Sequence, residues 1–384
     1  MKRLALILCL CLLLGGCVPA PEAVPTQAPT SAPTQAPTTA PTQAPTAAPT
    51  ELPTEPPTEP PTEAPTFPYT NPLTGEGTMT NPVYRPFCVM LNNVKDAMPL
   101  HGVADADILY EVLVEYGETR LMAIFSDIAS ARPIGSVRSA RKYFVSLAMG
   151  YDAIYVHYGK SDVPGDDVGA QQYLEQTGWD HMDGTGAGYS YFYDNTDRLQ
   201  QGYQFYHCRF LQGIQAIQYA KDHGFRLSRD HVMDHGLRFD PELKLSGTAA
   251  NTLTVWFNQG GATGSWTKST KLIYDPSSGK YLSYQHGMSS NDGNTGQQLA
   301  FENVLILRAN TRKHTGSDLL YVDVVGSGSG WFVHNGQMVE ILWSRDSATS
   351  NFVYTYTDGT PLTLGVGKTY IAVTPHNAAV PTAE

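Results

Sequence analysis

The stretch IGSVRSARKYFVSLAMGYDAIYVHY, residues 134–158, decides the reading of the fold. Gly135-Ser136 opens a predicted helix that runs to about residue 149, with apolar residues at 140, 144, 147 and 148. Residues 152–158 follow as an apolar strand. Upstream, residues 85–93 read as a strand, and residues 107–115 and 119–126 as a hairpin around Tyr116-Gly117-Glu118. Strand 119–126, the helix and strand 152–158 form in that order a predicted βαβ unit with parallel strands. Further helices are expected at 165–177 and 211–223. Residues 67–239 thus predict an α/β or α+β domain.

From about residue 240 the texture changes to short β-rich runs: 252–258, 271–274, 280–284, 304–308, 319–325, 330–334, 338–343, 352–357 and 369–374. Turn signals separate them, among them Asp275-Pro276-Ser277-Ser278-Gly279 and Thr357-Asp358-Gly359. This spacing predicts a β-rich antiparallel C-terminal domain over 240–384. Residues 326–330 (Gly-Ser-Gly-Ser-Gly) lie between β runs rather than before a helix, and read as a hairpin connection, not a phosphate loop.

The N-terminus gives an address. Lys2 and Arg3 precede an apolar run from Leu4 to Leu14, and Leu14-Gly15-Gly16-Cys17 follows. A charged start, a short apolar stretch and small residues form an export signal too short to span a bilayer permanently. Cys17 after Leu-Gly-Gly resembles a bacterial lipobox, which predicts signal residues 1–16 and a lipid-carrying Cys17 on the outer face of the membrane. The alternative is an ordinary signal peptide with Cys17 as a bystander. Residues 19–66 are nearly all Pro, Thr, Ala, Gln and Glu. Proline fixes φ and donates no hydrogen bond, so this tract favours extended polyproline II and spans up to roughly 150 Å at ~3.1 Å per residue.

The chain carries a formal charge of −11. Without Lys2 and Arg3 it is −13, and the five spacer glutamates leave about −8 on the globular part. An acidic globule without a basic run is a poor partner for nucleic acid or for anionic lipid headgroups. Of the five cysteines, Cys9, Cys11 and Cys17 lie in the signal and lipobox, which leaves Cys88 and Cys208. They could form one bridge or remain two buried thiols; this is not a disulfide scaffold.

Three stretches of the N-terminal part resemble the YerB-like family of bacterial lipoproteins. They are Gly102 to Glu111 with Glu115 and Thr119-Arg120, Ile134 to Arg141, and Asp152-Ala153 with His157-Tyr158-Gly159 and Ser161. Further on, Trp343-Ser344-Arg345, Asp358-Gly359 and Gly367-Lys368-Thr369 resemble the family's second domain. Where family members tend to carry Pro-His-Asn, this chain has Tyr206-His207-Cys208-Arg209. The resemblance implies a two-domain extracytoplasmic lipoprotein and supplies no reaction.

The residues themselves suggest a site at one edge of the βαβ unit, where open α/β sheets bind ligands. That edge is expected to gather Asp107, Asp127, Ser136, Arg138, Ser139, Arg141, His157, Tyr158 and Ser161. Arg138 and Arg141, three apart, would share a helix face and form an anion trap at the helix start. The alternative is internal pairing with Asp107, Asp127 or Glu111. Glu111 sits in Ile-Leu-Tyr-Glu-Val-Leu-Val, where a carboxylate must be paired or protonated.

Catalytic readings rest on Glu111, Glu115, His157 and Asp183. On one strand Glu111 and Glu115 would have α-carbons about 13 Å apart, too far for glycoside cleavage unless the side chains converge. His207 and Cys208 are adjacent and would point to opposite faces. His157, His181, Asp162, Asp166, Asp180 and Asp183 lack metal-ligand spacing, so neither metal nor cofactor is predicted. Tyr189, Tyr191, Tyr193, Tyr203 and Tyr206 could stack on sugar or simply cover the sheet. The resulting expectation is a membrane-anchored protein that binds a polar or anionic envelope component, or a partner protein, without catalysis. The alternatives are an envelope carbohydrate or peptide hydrolase, and a scaffold whose polar cluster is structural.

Overall fold

The computed structural model describes residues 66–163, 168–258 and 268–384. The expected signal, Cys17 and all but the last residue of the proline-rich spacer lie outside the described residues, as does Asp166.

Among the described residues the largest sheet has eleven strands. Its N-terminal members are β1 (Phe87–Leu91), β2 (Ile108–Leu113), β3 (Thr119–Phe125), β4 (Ile154–His157) and β5 (His181–Asp183). Helix α1 (Lys142–Gly150) precedes β4, α2 (Ala170–Thr177) follows it, and α3 (Gly213–Asp222) comes after β5. In space the order is β2-β3-β1-β4-β5, with β1, β4 and β5 parallel and β3 opposed to both β2 and β1. The mixed α/β character matches expectation, but the parallel partner of β4 is β1. Strand β3, the one before the helix, runs antiparallel to β1 and hence opposite to β4. The end of β3, with Ser126 and Asp127, therefore lies at the far edge from His157.

The C-terminal part supplies β6 (Thr252–Trp256), β7 (Ser269–Asp275), β8 (Lys280–Gln285), β9 (Asn303–Ala309), β10 (Gly326–His334), β11 (Gln337–Arg345) and β12 (Thr369–Pro375). Antiparallel pairing dominates here. Residues 326–330 form the first half of β10 rather than a hairpin connection. Their backbones lie close on neighbours: a Cβ on Gly330 would sit 2.2 Å from the Ile306 carbonyl oxygen. Strand β12 runs parallel between β9 and β2 and fuses the C-terminal strands to the N-terminal ones in one sheet. Strands β6, β7 and β8 belong to a second, six-stranded sheet.

Both faces of the large sheet are covered, so its central strands are mostly apolar, with Glu111 in β2 as the buried charged exception. In β1 the residues alternate: Cys88 and Met90 pack on the side of α1 and α2, while Phe87, Val89 and Leu91 face the second sheet and α3. In β12, Ile371 and Val373 take the helix side and Tyr370 and Ala372 the other. Each fully buried aliphatic side chain stabilises by ~1.5–3 kcal/mol. Helix α1 is buried from Tyr143 to Gly150. A Cβ on Gly150 would lie 2.6 Å from Arg345 Nη2, so glycine is required where the β11 guanidinium enters.

Candidate functional site

The predicted helix start is the main correction. Residues 136–141 are not helical, and α1 begins at Lys142 with Arg141 as its extended N-cap. The backbone groups of this segment are engaged by neighbours instead. Val137 N–H donates to Arg209 O, Arg138 N–H to Met90 O and Ala140 N–H to Gly159 O. Serines 136 and 139 and Val137 are weak helix formers, and these bonds outweigh the local preference. Arg138 and Arg141 therefore share no helix face, although they line one cleft.

That cleft has a volume of about 390 Å³. Its walls come from the ends of β1 and β2, the start of β3, the 138–141 segment and the loop at 317–319. Strands β1, β2, β4, β9 and β12 all point the same way, so this is the carboxyl edge of the like-directed strands, where such sheets collect ligands. Asp107 and Asp127 lie at the opposite edge. Asp107 accepts from Asn71 and from the Ser126 N–H, and Asp127 accepts from Thr80 and Ser130.

Three guanidinium groups meet in the cleft. Arg141 pairs with Glu115 and donates to Ala140 O at 2.7 Å. Arg120 donates to Ser139 O at 2.6 Å. Arg138 makes a long bond to Tyr206 O at 3.4 Å and lies 5.4 Å from the Tyr206 ring, while its Nε is buried without a partner. Among the described residues, Glu115 is the carboxylate in ion-pair contact with this group. Burial alone would raise the Glu115 carboxyl, but the hydrogen bond and charge of Arg141 outweigh it and hold it low. Burial, then the charge of Arg141, pushes the Arg120 guanidinium down to about 9, which leaves it charged at neutral pH. Burial and Arg141 lower Arg138 as well. Cations packed this closely gain from any anion placed among them.

The other expected residues lie elsewhere. Ser136 is fully buried. Ser139 contributes only its carbonyl to Arg120. Ser161 accepts from the Ala170 N–H at the start of α2, 3.2 Å away. Tyr158 packs edge-on against Phe192, with Arg209 5.1 Å from its ring. His157 is fully buried; its Nδ1 donates to Gly159 O at 2.8 Å and its Nε2 faces His181 Nδ1 at 3.0 Å. Asp183 accepts from Lys160, Thr185 and the Gly159 N–H.

Glu111 is fully buried and saturated. Asn93 and Thr119 donate to Oε1, and Thr270, Gln285 and Tyr370 donate to Oε2. Lys268 Nζ stands 3.8 Å away. Its role is to tie β2 to the second sheet. Cys88 and Cys208 are both buried and free. Among the described residues no group of three or more His, Cys, Asp or Glu side chains could hold a metal ion, and no helix is long and apolar enough to cross a membrane. The cleft residues that the sequence did not single out are Arg120, Glu118 and Asn92; Glu115, considered above as one of a catalytic carboxylate pair, lies here as the partner of Arg141. A lone cation in Thr-Arg-Leu-Met-Ala-Ile-Phe was the available signal for Arg120.

Residues 73–225 match the N-terminal domain, and residues 262–371 the C-terminal domain, of the family described as protein of unknown function (DUF3048). The chain is also 29% identical over 293 residues to "Putative lipoprotein YerB" of Bacillus subtilis (strain 168), covering 76% of this chain and 81% of that protein. This chain belongs to the YerB-like family. The crystal structure of YerB from Bacillus subtilis superposes with a TM-score of 0.69 at 27% identity, covering 82% of this chain and 99% of that one. The YerB-like architecture thus extends over both the mixed α/β part and the antiparallel part. The matched segments include every residue of the arginine cleft.

Proposed function

We propose that this protein is a lipid-anchored, extracytoplasmic binding protein that holds a small anionic component of the cell envelope in the arginine cleft. The address rests on the export signal with Cys17 after Leu-Gly-Gly and on the lipoprotein name of the relative. The binding role rests on one observation: Arg120, Arg138 and Arg141 converge while Glu115 alone is in ion-pair contact with them among the described residues. Among the described residues Arg138 forms no ion pair, and its one hydrogen bond, to Tyr206 O, is long at 3.4 Å, which leaves its guanidinium little committed to the protein. Binding is favoured over hydrolysis because the carboxylates Glu111 and Asp183 are committed to structural bonds.

Calorimetric titration with inorganic phosphate and with acetate tests the reading, with Arg138→Gln run in parallel. Wild type should bind at least one anion, and the variant should bind it at least tenfold more weakly, about 1.4 kcal/mol. Equal binding by the two proteins, or none by either, overturns the assignment. Cys17→Ser should release the protein from membranes; continued retention would count against the anchor.

A further inference from the structure

The cleft holds a second charge that the arginines do not neutralise. Glu118 immediately precedes β3 and lines the same space. Its backbone is fixed: the Glu118 N–H donates to Glu115 O at 3.2 Å, and its carbonyl accepts from the Val114 N–H at 2.7 Å. Tyr116 and Gly117 take positive φ to make the turn, and Asn258 reaches the Gly117 carbonyl at 3.3 Å from the second sheet. The Glu118 carboxylate itself has neither hydrogen bond nor ion pair among the described residues.

Glu118 and Arg120 do not pair although they are two apart on an extended chain and share a face. Arg120 is drawn to the Ser139 carbonyl, beside Arg138 and Arg141. The charges that bear on Glu118 are instead Lys268, Asp96 and Glu111. Lys268 is already engaged, donating to Gln285 Oε1 at 2.7 Å. Half-burial, with Asp96 and Glu111 adding, pushes the Glu118 carboxyl up. The cleft thus holds three guanidinium groups with one paired carboxylate, Glu115, and a second carboxylate, Glu118, that pairs with none of them; Asp318, which also lines it, pairs with Lys313. A volume of about 390 Å³ lies within the range of small-molecule sites, roughly 300–1,000 Å³.

Building on the reading of this cleft as an anion site, we propose that its ligand is a zwitterion of amino-acid or short-peptide size, with its acid group between Arg120 and Arg138 and its ammonium against Glu118. The charge-assisted bonds at each end would fix the ligand's direction as well as its affinity.

Three probes separate the two ends: alanyl-alanine, its N-acetylated form and its C-terminal amide, each titrated into the full-length protein. The free dipeptide should bind at least tenfold more tightly than either blocked form. Glu118→Gln, an isosteric change, should bring the free dipeptide down to the affinity of the N-acetylated one and leave the latter unchanged. Arg138→Gln should weaken both acid-bearing probes. The zwitterion assignment is overturned if the N-acetylated form binds as tightly as the free one, if Glu118→Gln changes nothing, or if phosphate binds while no dipeptide does; anion binding then still stands. If neither phosphate, acetate nor any acid-bearing probe binds, both fail together.

Discussion

The Tyr370 hydroxyl donates to Glu111 Oε2 at 2.7 Å, joining strands whose residues lie 259 positions apart. Four further donors converge on the same carboxylate. Replacing Glu111 with Ala would leave them buried and unpaired beside the Lys268 ammonium. Breaking such a network costs about 3–5 kcal/mol. Urea unfolding followed by circular dichroism measures it, and a loss below about 1 kcal/mol would show that the carboxylate is not the hub described.

Arg345 is a second tie. It is 1% exposed and has no carboxylate partner among the described residues; its guanidinium donates to the carbonyls of Ser146, Ser350 and Val324. Arg345→Met keeps much of the volume and strands several acceptors. The expected loss is about 3 kcal/mol, since each unsatisfied buried group costs roughly 1–3 kcal/mol. A melting temperature unchanged from wild type would contradict this.

The cleft arginines differ in structural weight. Arg141→Ala leaves the Glu115 carboxylate buried without its partner and should cost about 3 kcal/mol. Arg138→Ala removes one long hydrogen bond and a ring contact and should cost under about 1 kcal/mol. A severe loss at Arg138 would turn the cluster into an internal strut and weaken the case for a ligand.

Acid should destabilise the fold through two histidines. Burial pushes His157 down to about 4 and His235 down to about 3. Both bind protons more readily when unfolded, near pH 6.5, so the stability they confer is complete above that pH and is lost as pH falls toward 4. For His157 alone the full span is worth about 3 kcal/mol, at ~1.36 kcal/mol per pH unit. Unfolding free energies at pH 7.5 and 4.5 check it. His157→Asn should flatten part of the slope, and an unchanged slope would refute the attribution.

Neither globular thiol should react in the native state. Burial raises both Cys88 and Cys208, and both are 0% exposed. The thiolate is the reactive form, so Ellman's reagent should label neither within minutes at pH 8 and both in guanidinium chloride. Rapid native labelling of Cys88 would mean that the β1 face opens.

Local pattern carried much of this protein. Apolar runs located the central strands, because a strand buried on both faces favours apolar residues on both, and a polar one such as Glu111 must find partners. The turn at 276–279 was legible because Gly279 takes positive φ and Asp275 caps the turn with its side chain. The proline-rich composition of residues 19–66, and the expectation of an export signal before it, need no fold to be read. The start of α1 was not legible. Ile134 to Arg141 satisfies helix spacing, and it is the carbonyls of His101, Met90, Gly159 and Arg209 that draw its N–H groups into an extended path. The place of β1 between β3 and β4 depended on long-range pairing, which reversed β3 and moved Asp107 and Asp127 away from the site. The partners of Glu111 come from positions 93, 119, 268, 270, 285 and 370. Periodicity over a few residues records which face a side chain takes; which distant side chain meets it there is settled by sheet order and register, and these exist only once the chain has folded.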